Sequence, residues 1–195
     1  MKKKLLLHIC CAPDATVGIE RLTDQYDVVG YFYNPNIHPP EEYRRRLTAM
    51  DDLAEAVSFL CHEGDSDSQS WFKATEGMEK EPEKGRRCVA CMRMRLQEAA
   101  RMAKKGGFDL FAAVLTVSPH KDYQMINRLG EEAGRLHDVQ YLPTDLKKQD
   151  GFRRSVELSR KHGLYRQNYC GCVYSMRDDK RPEDRGQRPD KSRPD

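Results

Sequence analysis

Six of the seven cysteines stand in three tight pairs, Cys10-Cys11, Cys88-x-x-Cys91 and Cys170-x-Cys172. A site assembled from them demands a fold that brings the beginning, middle and end of the chain together. Cysteines that merely fill a core have no reason to pair three times. No apolar run approaches the roughly 20 residues that cross a bilayer. His8 and Cys10-Cys11 interrupt the short Leu5-Leu6-Leu7 run after the basic start, so no export signal is read either. The expected location is therefore the cytoplasm, where paired thiols serve metal or redox chemistry rather than structural disulfides. Cys61 stands alone after an apolar stretch and reads as a small buried hydrophobe.

Alternating patterns set the fold class. Lys4 to Ile9 is a nearly continuous apolar run, the kind buried on both faces of a parallel sheet. Pro13-Asp14 opens a helix expected to reach about Gln25. Val28 to Tyr33 reads as the second strand, closed by Asn34-Pro35-Asn36 and followed by a helix with Tyr43, Leu47, Met50, Leu53 and Val57 on one face. Residues 63–85 are polar and irregular, with a short helix around Trp71 and Phe72. Cys88 opens a strong helix that Gly106-Gly107 stops. A strand over Phe108 to Leu115, a helix over Lys121 to Leu136, a short strand over Val139 to Leu142 and a helix over Gly151 to His162 follow. This is an α/β chain: one domain over residues 1–176 on a mostly parallel sheet flanked by helices, with a charged disordered tail over 177–195. Its 195 residues suffice for one substantial core.

The chemistry should sit at strand ends. Cys10-Cys11-Ala12-Pro13-Asp14 falls where the first strand meets the first helix, and Ser118-Pro119-His120 falls between a later strand and its helix. In open α/β sheets such segments line one crevice. Cys88 and Cys91 lie in the first turn of their helix, where the dipole favours thiolate. A C-x-x-C with a C-x-C suits a closed four-thiolate zinc site. Six thiols exceed what one structural zinc uses, which favours iron–sulfur. Asp14 is either a helix-start acid or an oxygen ligand. His8 reads as a buried, hydrogen-bonded strand histidine, and His38 and His120 as residues of Pro-flanked, exposed loops. The net charge of +3 is too balanced to indicate nucleic acid alone, although basic residues bunch at 44–46, 84–87, 93–95, 147–148 and 153–154.

Several motifs, in one order, resemble the epoxyqueuosine reductase QueH family. They are His8-x-Cys10-Cys11-Ala12-Pro13, Tyr33-Asn34-Pro35-Asn36-Ile37-His38-Pro39 with Tyr43, and Arg86-Arg87-Cys88-x-x-Cys91. Ser118-Pro119-His120-Lys121-Asp122 and Tyr165-Arg166-Gln167-x-Tyr169-Cys170-Gly171-Cys172 complete the set. The resemblance runs from about Leu5 to Ser175; Cys61 and the charged tail fall outside it. It implies a fold like the nucleotide-binding α/β domains of PP-loop (HUP-like) tRNA-modifying enzymes. Cys10-Cys11-Ala12-Pro13-Asp14 would stand in place of the phosphate loop, so ATP is not expected. It also implies the last step of queuosine synthesis: reductive removal of the epoxide oxygen from epoxyqueuosine in tRNA, without cobalamin. The implied cofactors are a [4Fe–4S] cluster on Cys10, Cys11, Cys88 and Cys91, and an additional single iron. Cys170 and Cys172 would be a redox pair or ligands to that iron, with Asp14 as its oxygen ligand and His120 or Tyr169 as proton donor. The implied partners are the tRNA anticodon stem-loop, positioned by the basic runs, and an electron donor. Two other readings suit the residues: another iron–sulfur tRNA-modifying enzyme of sulfur transfer or desulfuration, and a zinc-stapled RNA-binding protein.

Overall fold

The computed structural model describes residues 1–176; the tail expected over 177–195 lies outside the described residues. The chain runs β1 (Lys3–Ile9), α1 (Ala12–Leu22), β2 (Tyr26–Phe32), α2 (Pro40–Ala56), β3 (Cys61–Glu63) and α3 (Ser68–Ala74). It continues with α4 (Arg86–Lys105), β4 (Leu110–Ala113), α5 (Tyr123–His137), β5 (Gln140–Tyr141) and α6 (Gly151–Lys161). Strands pair in the order β3-β2-β1-β4-β5, all parallel.

The strand period of two sorts β1 between two cores. Leu5, Leu7 and Ile9 face α1 and α2, packing with Ala12, Ala15, Met50 and Leu53. Leu6 faces α4 and α5, packing with Leu96, Ala99, Ala103, Phe111 and Leu129. Both faces of the sheet are thus covered, which is why its central strands read as apolar runs rather than alternating ones. Small side chains permit the close approaches. A Cβ on Gly18 of α1 would come within 2.7 Å of Val114 Cγ1.

The structure departs from the sequence-based expectation in three places. β3 was not anticipated: it is a three-residue edge strand with two exposed residues and no apolar pattern to announce it. The fourth strand stops at Ala113, and Val114–Val117 winds into a buried 3-10 turn. Those residues stay apolar because the turn is roofed by α1 and α6, with Val117 against Val17, Leu146 and Leu158. α1 ends at Leu22 rather than Gln25, where Thr23 Oγ1 bonds back to Ile19 O at 2.8 Å.

β1 is the hinge of the topology. The chain leaves it toward β2 on one side and later returns to β4 on the other, so the strand order reverses between β1 and β4. The segments after these two strands flank the crevice that such a reversal opens.

Candidate metal centre

The first group of candidate ligands comes from the β1–α1 turn. β1 stops at Ile9, Cys11 occupies the N-cap of α1 in an extended conformation, and Pro13 lies in the helix's first turn. That geometry places Cys10 Sγ 3.8 Å from Cys11 Sγ and 3.5 Å from Asp14 Oδ2. The three donor atoms lie within 4.8 Å of one another. The hydrogen bond with Cys11, reinforced by burial, holds the Cys10 thiol well above the usual range. Burial likewise raises Asp14. Two thiols and a carboxyl crowded together resist ionising jointly, and a bound cation reverses that preference.

The second group comes from α4 and the C-terminal segment. Cys88, Cys91, Cys170 and Cys172 line one cavity of about 380 Å³. Cys88 Sγ accepts from Lys84 N–H at 3.3 Å. The dipole expected to favour thiolates here is outweighed by desolvation, which raises Cys88 and pushes Cys91 up to about 11. Three N–H donors of residues lining the same cavity, Trp71 Nε1, Arg87 Nε and Arg95 Nε, are buried with no acceptor among the described residues.

The C-terminal segment is held against α2 through its main chain. Arg46 donates to Cys170 O at 2.9 Å and Tyr169 O at 3.1 Å, and His38 N–H donates to Gly171 O at 2.8 Å. Arg46 Nε in turn donates to Glu42 Oε1 at 2.7 Å, and Tyr165 donates to Glu42 Oε2 at 2.8 Å. Gly171 has φ 132°, a backbone that side-chain-bearing residues rarely adopt.

A second cavity, of about 350 Å³, joins the two groups. Cys10, Asp14, Phe152, Arg166 and Tyr169 line it, and Lys84, Arg95, His120, Lys121 and Cys170 line both cavities. Burial works against the charge of Lys121, yet Cys170, Cys10 and Asp14 outweigh it and hold its ammonium above the usual lysine range.

The structure groups the cysteines by neighbourhood, with Cys170 lining both cavities. Cys10 and Cys11 stand with Asp14, while Cys88 and Cys91 share their cavity with Cys170 and Cys172. His120 is exposed at the rim of both cavities. Tyr169 donates its hydroxyl to His38 O, which commits that proton to the backbone. His8 is fully buried with Nε2 3.0 Å from Tyr33 O, and burial beside the Arg95 guanidinium pushes its pKa down to about 3. His38 is not on an exposed loop: its ring packs 5.2 Å from Trp71 and 4.9 Å from Phe72.

The basic runs also divide. Arg46, Arg87 and Arg95 are buried and bind Glu42, the carbonyls of residues 78, 79 and 81, and Asn34. Arg154 is paired with Glu20 and Glu157. Part of the charge in these runs therefore builds the site, while Arg44, Arg86 and Arg153 stay exposed. Lys121 and Trp71 were not singled out as functional from the sequence. A lysine directly after the Ser118-Pro119-His120 turn was the available signal for the first, and an isolated tryptophan in a polar stretch for the second.

A doubly wound parallel sheet with two thiols at its first strand–helix turn, and four more lining one cavity, defines an α/β protein built around clustered cysteines. The model of the family described as "Epoxyqueuosine reductase QueH" matches residues 5–178, and the chain belongs to that family of oxidoreductases. The Streptococcus pyogenes epoxyqueuosine reductase QueH is 41% identical over 185 residues, covering 91% of this chain and 72% of that protein. The Thermotoga maritima protein of the same name is 34% identical, covering 88% and 90%. Among solved structures, the U34-tRNA thiolase NcsA from Methanococcus maripaludis with its [4Fe–4S] cluster shares the fold with a TM-score of 0.57 at 14% identity. That alignment covers 90% of this chain and 62% of the thiolase. A predicted subunit of tRNA methyltransferase from Methanocaldococcus jannaschii gives 0.53 at 14% identity, covering 80% and 74%. Among the described residues, no helix is long and apolar enough to cross a membrane.

Proposed function

We propose that this chain reduces epoxyqueuosine to queuosine within tRNA, using a [4Fe–4S] cluster on Cys88, Cys91, Cys170 and Cys172 and a single iron on Cys10, Cys11 and Asp14. The observation that carries this reading is the partition itself. One group offers four thiols around a cavity rimmed by unpartnered N–H donors, and the other offers two thiols and a carboxyl within 4.8 Å. Four thiolates are the usual set for a cubane cluster, and a mixed thiolate–carboxylate set suits one iron with open positions. Buried donors that lack an acceptor suit an electron-rich, acceptor-bearing group.

Deoxygenating an epoxide to an alkene consumes two electrons and two protons and releases water. The metal groups would supply one-electron transfer and Lewis acidity toward oxygen. The remaining work belongs to the chain's side chains. Lys121 and Arg95, which line both cavities, offset the negative charge that the thiolates gather. His120 stands at the rim within reach of both cavities, able to hold a proton for the leaving oxygen. Burial raises Asp14, and a bound cation would offset the cost of its charge. The mixed polar lining of the second cavity, with Arg166 and Phe152, suits a nucleotide splayed from a loop. The tRNA substrate makes the cytoplasm the site of action, and an electron donor protein completes the cycle.

Anaerobic iron analysis of single Cys→Ala variants tests the assignment. Changes at Cys88, Cys91, Cys170 or Cys172 should abolish the brown chromophore, whereas Cys11→Ala should keep it, lose about one iron per chain, and leave epoxyqueuosine in tRNA unreduced. Full chromophore in Cys170→Ala and Cys172→Ala would return the cluster to Cys10, Cys11, Cys88 and Cys91.

A further inference from the structure

Trp71 is the only tryptophan of the chain and is fully buried in α3. Its ring is fixed on several sides: Phe72 meets it edge-on at 5.2 Å, His38 at 5.2 Å, and Tyr174 at 6.1 Å. The helix that carries it is capped by Asp67, whose carboxylate accepts from Gln69 N and Ser70 N at 3.0 and 3.3 Å. Yet the indole Nε1 has no acceptor among the described residues, against the rule that buried indole N–H groups are paired.

The place of that N–H gives the reason. Trp71 lines the same cavity as Cys88, Cys91, Cys170 and Cys172. Arg87 Nε and Arg95 Nε are also unpartnered there, but both guanidiniums are otherwise engaged: Arg87 with three carbonyls, Arg95 with Asn34 at 2.6 Å. Removing either would break those bonds as well. The indole N–H has no such second duty.

We propose that Trp71 donates its Nε1–H to sulfur at the four-cysteine centre and thereby sets that centre's reduction potential. The inference rests on the assignment of a [4Fe–4S] cluster to these cysteines. Reduction adds one negative charge to such a centre. A fixed N–H donor stabilises the more negative state, so it raises the potential and makes the centre easier to reduce. Trp71 is a positioning residue in this scheme, since it reaches the substrate only through the centre it tunes.

The test is a potentiometric titration of reconstituted wild type and Trp71→Phe, followed by electron paramagnetic resonance without oxygen. Trp71→Phe should shift the one-electron reduction equilibrium about tenfold toward the oxidised form, which is about 59 mV lower, with iron content unchanged. Should Trp71→Phe fail to fold or to load iron, the lone tryptophan allows replacement throughout the chain by β-(3-benzothienyl)alanine. That residue keeps the bicyclic shape and lacks the N–H, and the same drop is expected. In wild type carrying an isotopically labelled indole nitrogen, the reduced centre should show hyperfine coupling to that nucleus. A shift smaller than twofold or toward higher potential in a loaded variant, or no coupling in wild type, overturns the proposal. A wild-type protein that assembles no four-iron centre sinks the cluster assignment and this inference together. A loaded protein with an unmoved potential overturns this inference alone.

Discussion

Arg46→Met should loosen the segment that carries Cys170 and Cys172 more than any surface substitution of the same charge. Arg46 and Glu42 form an ion pair with side chains only 2% and 6% exposed. The same guanidinium holds the carbonyls of Tyr169 and Cys170. Methionine matches much of the volume but leaves the Glu42 carboxylate buried with Tyr165 as its remaining side-chain donor. Removing one partner of a buried pair costs about 3–5 kcal/mol, chiefly through the charge left behind. For a chain of this size that corresponds to a fall in Tm of about 6–20 °C. Glu42→Gln should cost less, because an amide oxygen still accepts from Arg46 or Tyr165. Arg44→Met is the control: its pair with Glu41 is 70% and 66% exposed, so its removal should change stability by less than about 0.5 kcal/mol. Urea unfolding of metal-free protein measures the stability, and anaerobic iron analysis measures the hold on Cys170 and Cys172. The pair is only a bystander if Arg46→Met costs under about 1 kcal/mol, or if it matches Arg44→Met.

Further outcomes follow from other parts of the structure. Gly151→Ala should destabilise by about 1–3 kcal/mol or more, because its Cβ would lie 1.8 Å from Leu146 O and the backbone there must move; an unchanged urea midpoint would contradict the packing. Cys61, pushed up to about 12 mainly by burial, should carry a thiolate fraction on the order of a thousandfold below an ordinary thiol at pH 8. Its alkylation should therefore climb about tenfold per pH unit until near that value; a plateau close to pH 9 would refute the shift. Lys84→Ala, an exposed cation lining both cavities, should lower the slope of log affinity for tRNA against log salt by about 1 without altering iron content. tRNA or its anticodon stem-loop should be reduced far better than the free nucleoside, and equal specificity constants for the two would remove the phosphate contacts from the account.

Much of the fold was legible because both faces of the sheet are covered. Continuous apolar runs at Leu5–Ile9 and Phe111–Val117 are what a buried parallel strand requires, and the helices announce themselves by spacing. The same logic failed at Val114, where apolar residues continue but the backbone turns: burial depends on the roof of α1 and α6, which no local pattern records. β3 left no trace because three edge residues need no apolar period. The site was legible as pairs and illegible as a partition. Spacing brings Cys88 beside Cys91, one helical turn on, but whether Cys170 and Cys172 join them depends on Arg46 pulling the C-terminal segment across α2. Nor does a run of arginines disclose which members are buried. Arg44, Arg45 and Arg46 look alike in sequence, and only the helix phase of α2 turns Arg46 inward.

The segment from Tyr169 to Gly171 is moored by its main chain: the carbonyls of all three residues accept hydrogen bonds from α2 or the loop before it. Of the side chains strung along it, that of Tyr169 alone adds a hydrogen bond among the described residues, to His38 O. Asn168, whose side chain makes no hydrogen bond among the described residues, is therefore free to change while Cys170 and Cys172 keep their station. Gly171 has no such freedom. A Cβ there would sit 3.1 Å from both Arg46 Nη1 and Ile37 Cγ1 on a left-handed backbone. Tolerance to mutation should thus fall sharply from position 168 to 171, a gradient that a saturation library across the segment would trace.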